Sequence, residues 1–296
     1  MIKVESLTKN FETVKAIDNL TCEFPSGVTG LVGQNGAGKS TLLRVIAGIY
    51  HADGGTSSVD GYFSDTQEGR AKVFFLPDDP YVPSGSNVKQ AFAFYDALFD
   101  IDKDKFYQIL SIFGLPTDRN VTTFSKGMKR QLFVALALAM KVDNLLLDEA
   151  FDGLDPLVVD AIKEEIIKEA SEGKTIVISS HNILALQRLA DRFVILNKGK
   201  VAKEGENEDI GQEFVKYQAA FTFPVNEENI AKLGYRVVSF RSIGSVTHFV
   251  IYGEEGAEAK ISEALKPLFI EKVPLEPDEV VALEMMAARK GGEDHA

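Results

Sequence analysis

A glycine-rich stretch near the start of the chain, Gly33-Gln34-Asn35-Gly36-Ala37-Gly38-Lys39-Ser40, limits the possible folds more than any other feature. It follows a short apolar run at residues 28–32 and precedes an amphipathic segment at residues 39–47. A strand that passes through such a turn into a helix is the context of a phosphate-binding loop. The sequence therefore predicts an α/β domain with a mainly parallel core sheet.

The residues of this loop have separate predicted roles in binding a nucleotide. The glycines allow backbone amides to approach phosphate oxygens, and Lys39 can reach the β- and γ-phosphates. The Ser40 hydroxyl can ligate Mg²⁺, and Thr41 is placed to contact the α-phosphate. The predicted nucleotide-binding residues of the loop are Gly33, Asn35, Gly36, Ala37, Gly38, Lys39, Ser40 and Thr41. The loop by itself indicates only a nucleotide, because it serves many enzyme classes.

A second motif, Leu145-Leu146-Leu147-Asp148-Glu149, is typical of a buried strand that ends in two acids. Ligands of open α/β sheets bind outside the carboxyl ends of the strands. Successive strand residues point in opposite directions, so the acids are expected to have different roles. Asp148 is predicted to hold the Mg²⁺ shell, and Glu149 to accept a proton from the attacking water. An acidic strand-to-loop transition without function is the alternative.

Composition narrows the class of protein further. The chain has 296 residues, 45% of them hydrophobic, which suits a soluble protein with one large and one small domain or two modest ones. Its net charge is −12 and it has no long basic run, which counts against nucleic acid as a partner. The longest apolar run, residues 132–140, falls short of the roughly 20 residues that span a bilayer. A single cysteine, Cys22, rules out an intrachain disulfide framework and fits a reducing cytosol.

Hydrophobic periodicity indicates a change of organisation near residue 210. Before it, strands alternate with helices, and the predicted helical stretches are residues 86–113, 126–140 and 156–172. After it, the predicted strands are residues 214–223, 235–240 and 246–252, and the predicted helices are residues 257–268 and 278–289. We expect a domain at residues 1–210 and a small α+β accessory domain at residues 211–296.

A third motif makes the class of nucleotide-binding protein specific. The segment Phe124-Ser125-Lys126-Gly127-Met128-Lys129-Arg130-Gln131 lies 23 residues before Asp148, counted from Ser125, and opens an apolar helix. Ser125 is a credible helix cap, and the Gly127 amide and the helix N-terminus can bind an anion. Between the other two motifs, this segment resembles the signature of ABC (ATP-binding cassette) proteins. That resemblance implies that Ser125 and Gly127 contact the γ-phosphate of a nucleotide held by a partner subunit.

Further motifs of the same family follow in order. Gly153-Leu154-Asp155 resembles the D-loop, which implies that Asp155 lies at the interface of a dimer. Ser179-Ser180-His181 resembles the end of the strand that carries the switch histidine, which implies that His181 meets the γ-phosphate. Phe11 matches the position of the aromatic residue that stacks on adenine, where tyrosine is commoner.

Some positions depart from the common family pattern. Asp78, in Leu76-Pro77-Asp78-Asp79, stands where the Q-loop glutamine is usual, and we expect it to contact the nucleotide and Mg²⁺. Lys126 and Met128 replace the commoner glycine and glutamine of the signature. This form of the signature, and an acidic segment at residues 276–279, are similar to the branch that exports antibiotics, bacteriocins and toxic peptides.

The resemblance implies an α/β P-loop NTPase of the ABC type. Its expected parts are a mainly parallel core sheet, an antiparallel β subdomain, a helical subdomain at about residues 84–140, and the small C-terminal α+β appendix. Catalysis would rest on Glu149, His181 and Lys39, and the metal would be held by Ser40, Asp148 and Asp78. The expected cofactors are ATP and Mg²⁺.

The resemblance also implies the partners and the place of action. We expect an ATPase that dimerises around two ATP molecules, with a copy or a paralogue, and drives a separate transmembrane permease. It would lie at the cytoplasmic face of the membrane, peripheral through that permease, and its cargo would be a peptide, a drug or a lipid. The alternative function is a soluble ABC-type ATPase that acts as a regulator or assembly factor. For residues 211–296 a dimer-stabilising, a permease-facing and a small-molecule-sensing role remain open.

Overall fold

The strand that precedes the glycine-rich loop lies inside a six-stranded sheet. In spatial order its strands are Lys200–Glu206 (β10), Arg192–Asn197 (β9), Gly27–Val32 (β3), Thr175–Ser180 (β8), Asn144–Asp148 (β7) and Val73–Leu76 (β6). The pairs from β9 through β3, β8 and β7 to β6 are all parallel. The predicted mainly parallel core sheet is therefore confirmed.

The computed structural model describes residues 1–181, 186, 188–207, 211–253, 256–275, 279–280, 282–284 and 286–287. The chain divides into two units, Met1–Glu204 and Gly205–Ala296. Within the described residues, no helix combines the length and the apolar character needed to cross a bilayer.

Helices cover the core sheet of the first unit. Every residue of β7 and β8 is buried, as expected for parallel strands with both faces covered. Among the helices that contact the sheet, Lys39–Ile46 (α1) contacts β7, Lys126–Leu138 (α5) contacts β6, and Pro156–Ser171 (α6) contacts β3 and β8. This packing fixes the carboxyl ends of β3, β7 and β8, where the predicted site residues lie.

An antiparallel sheet completes the core of the first unit. Its strands in spatial order are Val14–Phe24 (β2), Ile2–Phe11 (β1), Gly54–Val59 (β4) and Tyr62–Phe63 (β5). All three pairings are antiparallel. Side chains from this sheet, from α1 and from the core sheet share one apolar cluster, so α1 is held from both sides.

The helical part of the first unit differs in one respect from the sequence prediction. Residues 86–113 form two helices, Val88–Asp96 (α3) and Lys103–Ile112 (α4), rather than one continuous stretch. The break is stabilised by Asp102, whose side chain accepts a hydrogen bond from the Lys105 amide at 3.0 Å and caps α4. A short helix, Gln67–Arg70 (α2), precedes β6. The rings of Phe92 and Phe106 lie 4.9 Å apart, so an aromatic contact joins α3 to α4.

The second unit is built on a four-stranded antiparallel sheet. Its elements in chain order are Phe214–Ala220 (β11), Glu227–Ala231 (α7), Arg236–Ile243 (β12), Val246–Tyr252 (β13), Ala257–Leu265 (α8) and Phe269–Val273 (β14). The spatial order β12-β13-β11-β14 and the β-α-β-β-α-β sequence give a ferredoxin-like arrangement. The sequence prediction missed β14.

The two faces of this sheet have different coverings. Ile230 of α7 and Ile261 of α8 belong to one apolar cluster with Tyr217 and Phe249. Leu283 and Ala287 belong to a second cluster with residues of β11, β12 and β13. Residues 276–278 of the acidic segment lie outside the described residues, as do parts of the helix predicted at residues 278–289.

Candidate functional site

The glycine-rich loop joins β3 to α1 and borders a cavity of about 590 Å³. The lining residues are Val14, Lys15, Ala16, Asn35, Gly36, Ala37, Gly38, Lys39, Ser40, Thr41, Asp78, Glu149 and Lys198. Gly38 has φ +106°, and a side chain there would meet the Ala16 carbonyl oxygen at 2.7 Å. Only glycine satisfies both constraints, so the loop presents bare backbone at the start of α1. Gly33 does not line the cavity, because it packs against the Leu196 carbonyl.

The Lys39 side chain lies at the centre of this site. It is only 6% exposed, and its Nζ donates to the Gly33 carbonyl at 2.7 Å. The same Nζ lies 3.6 Å from the Glu149 carboxylate. A buried ammonium with one carboxylate nearby is suited to bind a polyanion, because it is already desolvated and fixed in place.

The two acids at the end of β7 have different surroundings. Asp148 is buried, and its Oδ1 accepts a hydrogen bond from the Ser179 hydroxyl. Its Oδ2 is buried without a hydrogen-bond partner. Glu149 has φ +49° and turns its carboxylate towards His181, whose Nδ1 lies 3.0 Å from Glu149 Oε2. The structure therefore places Glu149 between Lys39 and His181, as a base with an orienting partner requires.

Asp78 lines the cavity and is paired with a residue that the sequence analysis did not single out. Its carboxylate forms an ion pair with the guanidinium of Arg130, on the helix of the signature segment. Arg130 is 3% exposed and also donates to the Pro77 carbonyl at 3.1 Å and the Asp78 carbonyl at 2.6 Å. The metal contact predicted for Asp78 would have to compete with this pair.

The signature segment is not part of the cavity lining. Ser125 caps α5, as predicted, by accepting a hydrogen bond from the Met128 amide at 3.1 Å. Ser125 is exposed and Gly127 is half-buried, and neither borders the cavity. The start of α5 therefore offers its backbone amides outside the pocket that contains Lys39.

The signature segment and the D-loop pack against each other. A side chain at Gly127 would meet the Gly153 carbonyl oxygen at 2.8 Å. Lys126 Nζ donates to Asp152 Oδ2 at 2.5 Å. This hydrogen bond raises the pKa of Lys126 and lowers the pKa of Asp152. The lysine that replaces a glycine in the signature thus acts as a tether to the D-loop.

Two further predicted residues, Phe11 and Asp155, do not line the cavity, although Phe11 pairs with Val14, which does. Phe11 is 40% exposed and packs its ring edge-on to Tyr50, with centroids 5.3 Å apart, and it does not line the cavity. Asp155 is exposed and caps α6, where it accepts a hydrogen bond from the Leu157 amide at 3.0 Å. Of all the predicted residues, the structure therefore brings the loop, Asp78, Glu149, Asp148 and His181 together. Ser125, Gly127, Asp155 and Phe11 are not among the residues that line the cavity.

Two residues of the site, Ser179 and Arg130, were not predicted from the sequence. Ser179 reads as an ordinary strand residue before the switch histidine, and Arg130 as one more cation in a basic segment. The position of Arg130 next to the apolar run at residues 132–140 is a usable signal of burial, and charged residues are rarely buried without a partner. The serine gives no such signal.

The residues at the ends of β3 and β7 fit a magnesium–nucleotide complex. A buried carboxylate oxygen without a donor is costly unless a cation satisfies it, and Asp148 Oδ2 is such an oxygen. Ser40 lines the cavity beside Lys39 and can contribute a hydroxyl ligand. The backbone of the glycine-rich loop supplies donors for phosphate oxygens.

Sequence comparisons find relatives of this chain among ABC transporter proteins. A family model described as ABC transporter matches residues 17–152. An uncharacterized ABC transporter ATP-binding protein of Methanocaldococcus jannaschii, MJ1023, is 33% identical over 217 residues, which cover 71% of this chain and 79% of that protein. The lantibiotic transport ATP-binding protein SrtF of Streptococcus pyogenes is 30% identical over 209 residues, which cover 70% of this chain and 91% of SrtF.

A solved structure has the same fold over most of its length. It is described as an ATP binding subunit of an ABC transporter and superposes with a TM-score of 0.65 at 26% identity. The match covers 71% of this chain and 91% of that one.

Proposed function

We propose, from the premise that this chain belongs to the family of ABC transporter ATP-binding proteins, that it drives a separate membrane permease by hydrolysing ATP in a dimer. In this proposal two chains, copies or paralogues, enclose two ATP molecules, and the permease exports a peptide, a drug or a lipid. The chain would lie at the cytoplasmic face of the membrane, bound through the permease.

The observation that carries the dimer proposal is the separation of the predicted nucleotide contacts. Lys39 and Glu149 line the cavity, whereas Ser125 and Gly127 lie outside it, at an accessible helix N-terminus. A helix N-terminus binds anions through its free amides and its dipole. A second chain related by a two-fold axis can present its own Ser125 and Gly127 to the cavity, and the arrangement is reciprocal.

Each residue of the cavity has a proposed role. Lys39 and the loop amides bind the phosphates, and Glu149 accepts a proton from the attacking water at its carboxylate. His181 Nδ1 holds the Glu149 carboxylate in position and meets the γ-phosphate side of the site. Closure by the second chain excludes bulk water, which strengthens the charge interactions around Glu149.

Ser40 and Asp148 are the proposed metal-holding residues. Bound Mg²⁺ neutralises negative charge on the phosphate oxygens. Asp148 Oδ2 is the oxygen that would take part, because Oδ1 is already engaged by Ser179. For Asp78 we propose a contact at the cavity wall, with its carboxylate held by Arg130.

An aromatic surface between β6 and α4 supports the proposed permease contact. Tyr81 and Leu98 are 67% and 63% exposed, and Phe99 is also exposed. The Tyr95 hydroxyl donates to the Tyr81 carbonyl at 2.7 Å, and burial raises the pKa of Tyr95 to about 12. Phe92, by contrast, is 6% exposed and belongs to the helical core, so it is unavailable to a partner. Exposed aromatic side chains held by hydrogen bonds are typical of protein interfaces.

Export is the proposed direction because of the relatives and the signature form. SrtF is named as a lantibiotic transport protein, and this chain covers 91% of its length. The accessory unit at residues 211–296 is proposed to stabilise the dimer, since its sheet ends in the edge strands β12 and β14, which can pair with another chain.

Co-purification tests this proposal directly. The chain would be tagged in its native cell, membranes extracted in mild detergent, and the bound proteins identified and quantified. We expect a polytopic membrane protein in a stoichiometric ratio. Recovery of the chain alone, or with partners from the cytosol only, would exclude coupling to a permease and favour the regulator alternative. A surface variant, Tyr81→Ala with Leu98→Ala, is expected to lose the membrane protein while it still binds ATP.

A further inference from the structure

Ser179 is fully buried at the carboxyl end of β8. In the parallel pairing of β7 and β8 its Cα lies opposite that of Asp148. The hydroxyl therefore points to the place where the two acids leave the sheet. The sequence motifs assign no role to this position.

One hydroxyl contacts both acids. Ser179 Oγ donates its hydrogen to Asp148 Oδ1 and accepts a hydrogen bond from the Glu149 amide at 3.0 Å. A serine hydroxyl has a single hydrogen to donate, so its only donor capacity is committed to Asp148. The hydroxyl is thereby fixed in one orientation between the side chain of the first acid and the backbone of the second.

The contact with Asp148 determines which carboxylate oxygen remains available. Oδ1 is engaged, whereas Oδ2 is buried without a hydrogen-bond partner. If the hydroxyl were missing, the carboxylate could rotate and offer either oxygen, or neither, to a cation. Partners of this kind, which bind a metal ligand rather than the metal, orient the ligand and tune its affinity.

The contact with Glu149 supports a backbone conformation that a glutamate rarely adopts. Glu149 has φ +49°, in the left-handed region, and its amide points at both the carbonyl oxygen and the hydroxyl of Ser179. Such a conformation persists only where the surrounding structure holds it. It is this turn that brings the Glu149 carboxylate to within 3.0 Å of His181 and 3.6 Å of Lys39.

We infer that Ser179 is a positioning residue that sets the metal-facing oxygen of Asp148 and the orientation of Glu149 through one hydroxyl. The inference rests on the proposed function, because it assigns the serine a part in the same site. It also predicts that metal binding and proton transfer are coupled: a change at Ser179 disturbs both, whereas a change at either acid alone disturbs mainly one.

The test compares hydroxyl removal with hydroxyl retention at this position. Ser179→Ala removes the group and Ser179→Thr keeps it. Thr175→Val, at an equally buried position on the far end of the same strand, is the matched control. Thermal unfolding establishes that each variant is folded. Mn²⁺ binding to the ATP-loaded chain is followed by electron paramagnetic resonance, ATP binding is measured in EDTA, and turnover is measured with Mg²⁺.

We expect Ser179→Ala to bind ATP in EDTA as the parent does but to bind Mn²⁺ about tenfold more weakly, with a comparable or larger loss of turnover. Ser179→Thr should recover most of the Mn²⁺ affinity, and Thr175→Val should match the parent. Parent-like Mn²⁺ affinity in Ser179→Ala would overturn the inference, as would equal impairment of folded Ser179→Thr.

If Ser179→Thr does not fold, Ser179→Cys replaces it in the test, because a thiol is similar in size to the hydroxyl but is only a weak donor. Ser179→Cys should then bind Mn²⁺ as weakly as Ser179→Ala does. Parent-like Mn²⁺ affinity in Ser179→Cys would contradict the inference. If the parent protein does not bind Mn²⁺ in the presence of ATP, the proposed function is wrong, whatever the Ser179 variants do.

Discussion

The guanidinium of Arg130 and the carboxylate of Asp78, 52 residues apart in the chain, form an ion pair at the wall of the nucleotide cavity. The same guanidinium binds the carbonyl oxygens of Pro77 and Asp78. The helix of the signature segment is therefore joined directly to the loop after β6. Any movement of this loop on nucleotide binding has to move the helix or break these bonds.

Arg130→Lys is expected to weaken this joint more than Asp78→Asn. A lysine ammonium lacks the planar fork with which the guanidinium binds these acceptors together, so we expect the free energy of unfolding to fall by about 1–3 kcal/mol. Asp78→Asn removes only an exposed carboxylate and leaves both carbonyl bonds, so the expected loss is about 0.5–1 kcal/mol. Urea denaturation of the single and double variants gives both values and their coupling. A larger loss of unfolding free energy in Asp78→Asn than in Arg130→Lys would show that the Asp78 carboxylate, and not the Arg130 guanidinium, contributes most to this contact.

Glu149→Gln should separate binding from turnover. The amide keeps the size of the side chain but cannot accept a proton from water, so we expect ATP binding to persist and turnover to fall by about 10²–10⁴-fold. The dimer should accumulate in ATP, as size-exclusion chromatography would detect. Glu164→Gln, the same change at an exposed position of α6, is the control. Hydrolysis by Glu149→Gln at the parent rate would remove Glu149 as the base.

Lys39→Ala is expected to weaken ATP binding itself. The ammonium is buried beside the glycine-rich loop, and its loss removes a charge-assisted contact worth about 1.5–3 kcal/mol, or roughly 10–100-fold in affinity. Lys168→Ala, at an exposed position of α6, should leave the affinity unchanged. Binding of a fluorescent ATP analogue measures both, and unchanged affinity in Lys39→Ala would contradict the phosphate-loop assignment.

Gly127→Ala should impair catalysis without impairing ATP binding to the single chain. The added methyl group would lie 2.8 Å from the Gly153 carbonyl oxygen, so the signature segment or the D-loop has to shift. A displacement of this kind can lower turnover by about tenfold or more. Gly54→Ala, where a methyl group meets only ordinary contacts beginning at 3.7 Å, is the control. Parent-like turnover in Gly127→Ala would show that this close approach is unimportant.

The Lys126–Asp152 pair predicts a defined pH dependence. Asp152 has its pKa lowered by the hydrogen bond from Lys126, so its stabilising contribution is present above the unfolded pKa of about 3.9 and is lost as the pH falls through the lower folded pKa. The pKa of Lys126 is raised by the same hydrogen bond, so its stabilising contribution is present below the unfolded pKa of about 10.4 and is lost as the pH rises through the higher folded pKa. Lys126→Gly should return the Asp152 pKa towards its ordinary value, as carboxyl NMR would show. An unchanged Asp152 titration would exclude the pair in solution.

Local patterns in the sequence were enough for much of the site. The glycine-rich loop between β3 and α1, the acids at the end of β7 and the Ser125 cap of α5 each depend on neighbours within a few residues. The break between α3 and α4 and the strand β14 were missed, because helical periodicity continues through the break and β14 lacks a clear alternation.

Only the tertiary structure placed Ser179 between Asp148 and Glu149, Arg130 against Asp78, and Gly127 against Gly153. The sequence determined the chemistry available at the ends of β3, β7 and β8. It could not determine the register between β7 and β8, because parallel strands buried on both faces carry no alternation that specifies which residues face each other. That register, fixed by the packing of the whole sheet, is what puts a serine hydroxyl against the Asp148 carboxylate.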